Sequence, residues 1–127
     1  MNLWICTSGF QYAEWKGAFY PEDLSTAKML PFYAARFSTT EVNYTFRRIP
    51  SGKTIENWFQ ATPAQFKFSL KAPQKITHFA KLRDCGVTFR YFHQAVPDWG
   101  ARLGPILFHF PPALNNAAPG LRPFATV

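Results

Sequence analysis

The residues best suited to chemistry in this 127-residue chain lie in the segment Glu41-Val42-Asn43-Tyr44-Thr45-Phe46. This segment ends an apolar, β-prone run, and in a strand positions 41 and 43 point to the same face, so the carboxylate and the carboxamide share one site. Burying both groups in a small domain is costly unless both are hydrogen-bonded, whereas the mouth of a barrel or cleft leaves them free to meet a ligand. The spacing therefore favours a ligand site over a purely structural pair.

Around this segment, apolar β-like stretches alternate with helix-like ones. The predicted strands are residues 3–6, 38–43, 67–71 and 106–110, and the predicted helices are 26–37, 51–61 and 88–102. Ser25 is placed to cap the first helix, and Pro97 should kink or split the third. Alternation of this kind is typical of an α/β fold with a parallel sheet built from about four βα units. Residues 113–127 contain two breaking Pro residues and an Asn pair, so we expect an irregular tail.

The charge of the chain favours anionic partners. The formal net charge is +7 and the isoelectric point is near 9.7. The Lys and Arg residues are scattered, with no basic run longer than two. A generally basic, solvated surface explains this pattern most simply, a phosphate-bearing small molecule comes next, and nucleic acid comes last.

The sequence shows no pattern of a targeting signal, a membrane span, a metal site or a disulfide framework. No apolar run approaches the roughly 20 residues that cross a bilayer, and the N-terminus lacks a secretory pattern, so we expect no membrane association and a cytoplasmic location. Cys6 and Cys85 are far apart and form no CxxC motif, which indicates neither a zinc site nor a disulfide framework. Cys6 is expected to be a buried strand cysteine, with a nucleophilic role as the alternative.

Four motifs, in order along the chain, resemble the YecE-like family (domain of unknown function 72). They are Thr7-Ser8-Gly9-Phe10 with Tyr12 and Trp15; Glu41-Val42-Asn43 with Thr45-Phe46; Phe68-Ser69-Leu70-Lys71-Ala72-Pro73 with Ile76-Thr77-His78; and Leu103-Gly104-Pro105-Ile106-Leu107-Phe108 with Pro111-Pro112. The resemblance implies a TIM-type (β/α)8 barrel of about twice this length. Residues 1–114 then correspond to the N-terminal half of such a barrel and residues 115–127 to an irregular, truncated tail. The missing half, or a second copy of the chain, is the expected partner.

Two residues depart from the family pattern. Cys6 stands where the family usually has Gly, and His109 stands where it usually has Gln. The first change puts little in doubt, whereas the second places a titratable ring near the expected site.

The resemblance also indicates where a site would form. In TIM-type barrels the site lies at the C-terminal ends of the strands, which here carry Ser8, Glu41, Asn43, Lys71, His78 and His109. Glu41 is the candidate general base, Lys71 a phosphate or carboxylate ligand or a nucleophile, and His78 a proton carrier. Ser8, Asn43 and His109 are candidate ligand-binding residues. Tyr12 and Trp15, with Tyr44 and Phe46, can form an aromatic wall for a sugar or base. The resemblance carries no established reaction or cofactor, so whether the protein is an enzyme stays open.

Each of these roles has a structural alternative. Glu41 and Lys71 can simply form an ion pair that braces two strands. His78 can be a loop-capping residue, and Tyr12 and Trp15 can be lid or core residues. His78, His109 and Glu41 have no diagnostic metal-ligand spacing, so no metal site is predicted.

Overall fold

Three short strands pair in parallel and form the sheet of an α/β fold. The computed structural model describes residues 3–112. The strands are β1 Thr39–Val42, β2 Lys67–Lys71 and β3 Leu103–Leu107, in the spatial order β1-β2-β3. The α-helices are α1 Thr26–Ala34, α2 Tyr44–Arg47, α3 Gly52–Gln60 and α4 Gly86–Ala95. Two 3-10 segments, Ala13–Trp15 and Val96–Arg102, and one π-helical turn, Lys75–Phe79, complete the regular structure.

The two faces of the sheet differ in character. Val42 pairs in register with Leu70, and Leu70 with Ile106, and all three side chains belong to or pack against the hydrophobic core. The next residues along β2 and β3, Lys71 and Leu107, are also in register, and Leu107 is 41% exposed. Because side chains alternate across a strand, one face packs on the helices and the opposite face carries polar and exposed groups.

Aromatic rings supply much of the core beneath the sheet. Phe68 of β2 is fully buried and stacks against Trp58 of α3, with ring centroids 6.3 Å apart. Trp99 lies 5.4 Å from Phe68 and is 1% exposed. Rings of this size bury large apolar areas, which lets short helices hold the strands in place.

Several sequence-based predictions are confirmed. Strand β2 spans the predicted residues, β1 and α3 lie within their predicted ranges, and α3 is capped by Ser51, whose Oγ accepts from the Thr54 amide at 3.2 Å. The predicted third helix is split at Pro97, because proline removes an amide donor from the helix interior. Helix α1 begins after Ser25 as predicted, although the Ser25 side chain makes no capping hydrogen bond.

Two strand predictions are wrong in position. Residues 3–6 form no strand, and the parallel bridge occurs later, between Ser8 and Glu41. Leu3 and Ile5 are 71% and 61% exposed, so no burial stabilises an extended pairing there. Strand β3 begins and ends three residues before the predicted one and so includes Pro105. A proline is tolerated there because β3 has no second strand neighbour within residues 3–112.

Two further element boundaries differ from the predicted ones. Helix α1 ends at Ala34, three residues earlier than predicted, and His109 follows β3 instead of lying within it.

The predicted irregular tail lies outside the described residues. Within residues 3–112, no helix combines the length and apolar character needed to span a bilayer.

Gly104 lies where the backbones of β2 and β3 approach each other closely. A Cβ at this position would lie 3.1 Å from the Phe68 carbonyl oxygen and 3.3 Å from the Ser69 amide nitrogen, both backbone atoms. We expect Gly104→Ala to lower the free energy of unfolding by about 1–3 kcal/mol because the strands must separate. Urea denaturation followed by circular dichroism measures the change.

Gly52→Ala is the matched control for this prediction. No atom lies within 4 Å of a Cβ added at Gly52, which is the first residue of α3. The substitution should leave stability unchanged or raise it by up to about 1 kcal/mol. Equal effects of the two substitutions would contradict the close approach of the strands.

Candidate functional site

The end of β1 presents Glu41 and Asn43 beside the segment that carries Ser8. The Glu41 amide donates to the Thr7 carbonyl at 3.1 Å, and the Gly9 amide donates to the Glu41 carbonyl at 2.9 Å. Gly9 has φ +86°, and a Cβ there would lie 2.8 Å from the Tyr12 hydroxyl oxygen. A side chain at this position is therefore disfavoured twice, by backbone conformation and by space.

Ser8, Glu41 and Asn43 form one hydrogen-bonded chain. The Ser8 hydroxyl donates to Glu41 Oε1 at 2.8 Å, and Asn43 Nδ2 donates to Ser8 Oγ at 2.9 Å. A carboxylate only accepts, so the Ser8 proton points to Glu41 and its oxygen must accept from Asn43. This fixes which end of the Asn43 amide faces Ser8. The three predicted site residues are thus brought together.

Lys71, at the end of β2, extends the cluster. Its Nζ lies 3.8 Å from Glu41 Oε1 and 5.1 Å from the centre of the Phe46 ring. The Lys71 and Glu41 side chains are 16% and 15% exposed. The Thr45 hydroxyl lies 2.6 Å from the Lys71 carbonyl oxygen, which anchors the strand end. A long, partly solvated ion pair of this kind contributes at most about 1 kcal/mol of stability.

His78 and His109 lie beyond Phe46. The His78 ring is edge-on to Phe46 at 5.1 Å and edge-on to His109 at 5.8 Å. The buried Thr77 places its Oγ1 2.8 Å from His78 Nδ1, which leaves Nε2 as the nitrogen available to a ligand. His78 sits in a π-helical turn, a feature that often occurs at functional sites. The structure brings the two histidines together, with Phe46 between His78 and Lys71.

A cavity of about 390 Å³ opens beside Glu41 and Asn43. Its wall comprises Gly9, Phe10, Gln11, Tyr12, Glu41, Val42, Asn43, Tyr44, Arg47 and Trp58. Lys71, His78 and His109 are not part of this wall, so the candidate residues share a neighbourhood but not one cavity. Glu41 lines the cavity and also lies beside Lys71.

Arg47 is a charged wall residue that the sequence did not indicate as part of the site. It lies four residues after Asn43, on the one-turn helix α2, and positions four apart share a helix face. That spacing, with the placement of Asn43 at a strand end, was the signal that could have found it. Gln11, Phe10 and Trp58 carry no comparable pattern in the sequence.

Tyr12 and Trp15 differ in their position relative to the cavity. Tyr12 lines the cavity and its hydroxyl donates to the Ser8 carbonyl oxygen. Trp15 packs against Tyr12 at 4.7 Å and against Phe19 and Tyr20 at 5.8 and 5.9 Å, behind the cavity wall. Tyr12 is therefore placed for ligand contact, whereas Trp15 supports it from an aromatic cluster.

Cys6 is exposed, so the prediction of a buried strand cysteine is wrong. Partial desolvation of the thiol, followed by the negative charge of Glu41, raises the pKa of Cys6 above its usual value. A raised pKa lowers the thiolate fraction at neutral pH, which disfavours nucleophilic chemistry. Cys85 is buried.

A second cavity, of about 250 Å³, lies at the opposite end of the strands. Ser38 and Phe66, which directly precede β1 and β2, belong to its wall. Arg36 is its charged residue, and the Arg36 guanidinium stacks 3.5 Å above the Phe32 ring centre. The two cavities therefore mark the two ends of the sheet. Within residues 3–112, no group of three or more His, Cys, Asp or Glu residues is arranged to hold a metal ion.

Comparison with known proteins identifies relatives over most of the chain. The family described as "Protein of unknown function DUF72" matches residues 4–126. The chain is 29% identical over 79 residues to UPF0759 protein YecE of Escherichia coli and 27% identical over 99 residues to UPF0759 protein YunF of Bacillus subtilis. These alignments cover 62% and 73% of the chain but 29% and 35% of the relatives.

Solved structures agree in fold. A DUF72 family protein from Thermotoga maritima superposes with a TM-score of 0.74 at 31% identity, covering 85% of the chain and 44% of that structure. A DUF72 protein from Enterococcus faecalis, 16% identical, gives a TM-score of 0.66 over 87% of the chain and 40% of that structure. The chain thus spans less than half the length of these relatives. The resemblance found in the four sequence motifs is confirmed, and the chain belongs to the DUF72 family.

Proposed function

We propose that residues 1–114 are the N-terminal half of a TIM-type barrel. The parallel strands, the helices packed on one face and the polar opposite face support this proposal, because a barrel buries that second face inside itself. The relatives, which are more than twice as long as the matched region, provide room for the remaining strands.

In the same proposal, the C-terminal strand ends bind a small polar ligand that carries a phosphate or carboxylate group. The observation that carries it is the convergence of Ser8, the Glu41–Asn43 pair and Lys71 from three neighbouring segments of one sheet edge. Lys71 has three donors, and its one charged partner among residues 3–112 is Glu41, at a long 3.8 Å. An anion that approaches from the open face can therefore bind Lys71 without breaking a strong ion pair.

The other site residues take roles that follow from their positions. Glu41 is the candidate general base, and Asn43 and Ser8 hold it in orientation while contacting polar groups of the ligand. His78 is the candidate proton carrier through Nε2, with His109 beside it. Tyr12 forms one wall and Trp15 supports it. These roles suit a site that binds the ligand or that also transfers a proton to or from it.

A polyanion-binding surface is less well supported than this site. Arg36, Arg48 and Arg102 each stack on a ring of the chain itself, at 3.5, 4.6 and 5.0 Å from the ring centres. Arg102 also donates to the Thr62 hydroxyl at 2.8 Å. Cations used in internal contacts are less available to phosphates of a nucleic acid, although they still add to long-range attraction.

Lys71→Met tests the anion site. We expect the affinity for inorganic phosphate to fall roughly tenfold to hundredfold, because a charge-assisted contact is lost. Isothermal titration calorimetry in a phosphate-free buffer of constant ionic strength gives the change. Lys53→Met, at an exposed position of α3, removes the same charge and should change affinity less than twofold. Equal losses in both variants would contradict a specific site.

Glu41→Gln separates the ligand site from a structural brace. If Glu41 competes with an anion for Lys71, its neutralisation should raise phosphate affinity by roughly fivefold, or about 1 kcal/mol. The free energy of unfolding should change by less than about 1 kcal/mol. Glu22→Gln, an exposed loop substitution, is the control. A stability loss of about 3–5 kcal/mol with unchanged phosphate affinity would instead identify a buried brace.

Leu107→Lys tests the half-barrel proposal. The exposed Leu107 lies on the open face of β3, and covering this face by a second copy is favourable for the isolated chain. We expect the wild type to self-associate in sedimentation velocity and Leu107→Lys to shift the population toward monomer. Val87→Lys, at a 74% exposed position of α4, should leave self-association unchanged. A monodisperse wild-type monomer would contradict the proposal.

A further inference from the structure

The Ser8 hydrogen bonds leave two acceptor oxygens free at the cavity. Ser8 occupies Glu41 Oε1 and Asn43 Nδ2, so Glu41 Oε2 and Asn43 Oδ1 have no hydrogen-bond partner among residues 3–112. Both residues line the 390 Å³ cavity. Two acceptors, one from Glu41 of β1 and one from Asn43 just after the strand, suit a ligand that presents two neighbouring donors.

Arg47 supplies donors to the same cavity. It lines the wall and is exposed, and its guanidinium makes no hydrogen bond or ion pair with another residue of the described range 3–112. Its neighbour Arg48 is different, because the Arg48 guanidinium stacks on Tyr44 at 4.6 Å and is absent from the wall. Arg47 follows Asn43 by one helical turn, and both residues border the same cavity as Glu41.

The combination of acceptors, a donor and aromatic walls matches hydroxyl groups. Each hydroxyl both donates and accepts, so a vicinal pair can donate to the Glu41 and Asn43 oxygens and accept from Arg47. Tyr12 and Tyr44 provide aromatic surface for the C–H groups of such a ligand. A volume of about 390 Å³ is within the usual range of small-molecule pockets, roughly 300–1,000 Å³.

We propose that the ligand is a polyhydroxylated anion, a sugar or polyol with a phosphate or carboxylate group. This inference rests on the proposed function, in which Lys71 binds the anionic group. Glu41 connects the two parts, because Oε1 lies 3.8 Å from Lys71 Nζ and the residue also lines the cavity. The hydroxylated body occupies the cavity, and Arg47 and Asn43 distinguish it from a simple anion.

The test compares glucose 6-phosphate, glucuronate, glucose and inorganic phosphate by calorimetry on the full chain. Wild-type protein should bind glucose 6-phosphate or glucuronate at least tenfold more tightly than inorganic phosphate. Arg47→Met should remove most of that advantage and leave the affinity for inorganic phosphate within twofold of wild type. Asn43→Ala should also remove most of the advantage. Arg48→Met removes the same charge one residue away and should preserve the advantage.

The outcomes separate this inference from the function on which it rests. If inorganic phosphate binds in a Lys71-dependent manner but neither hydroxylated anion binds more tightly, the polyol inference is wrong and the anion site stands. If none of the anions binds, both are wrong. An advantage that survives both Arg47→Met and Asn43→Ala also overturns the inference, and a circular dichroism spectrum of each variant verifies that the fold is intact.

Discussion

The packing of one sheet face on an aromatic-rich helical layer is the constraint on which the rest of the structure depends. Phe68 of β2 is fully buried against Trp58 and Trp99, and the neighbouring strands direct Val42 and Ile106 to the same side. With that side committed to the core, strand alternation sends the remaining side chains to the opposite face. A parallel sheet normally has both faces covered, whereas no helix of residues 3–112 covers the second face of this one.

The polar cluster follows directly from this division. Glu41 and Lys71 come from the open face of adjacent strands, and the Ser8 segment is held beside them by backbone hydrogen bonds to Glu41. Their partial exposure keeps the cost of burying charge low, which explains how a small domain tolerates an acid, an amide and a lysine together. The same openness leaves Glu41 Oε2 and Arg47 available to a ligand.

The sequence predicted the elements with strong local signals better than those with tertiary causes. Strand β2 and helix α3 were placed well because side-chain alternation in a strand and helical apolar spacing are local features. The strand expected over residues 3–6 was misplaced because its formation depends on burial that residues 3–112 do not provide. Strand β3 was shifted because Gly104 and Pro105 look like loop residues, and only close packing on Phe68 shows why a glycine suits the strand.

In the candidate site, too, sequence patterns predicted some residues, whereas the roles of others depend on contacts between distant segments. Glu41, Lys71 and His78 were readable from their positions at or after strand ends. Asn43 was expected to share a strand face with Glu41, but it lies outside β1 with α-helical φ and ψ and reaches Glu41 through the Ser8 hydroxyl. Arg47 was overlooked because its importance depends on the cavity formed by two distant segments. That the His78–His109 pair lies outside that cavity was likewise not encoded in any spacing.

Amide chemical-shift mapping is the most direct test of the claim that the C-terminal strand ends form an anion site. Phosphate is titrated into ¹⁵N-labelled protein, and the shifts of residues at the two ends of the sheet are compared. The largest changes should occur at Ser8, Asn43 and Lys71, whereas Ser38 and Phe66 at the opposite end should barely move. Changes concentrated at the Ser38 end, or spread evenly over exposed Lys and Arg residues, would contradict the proposed site.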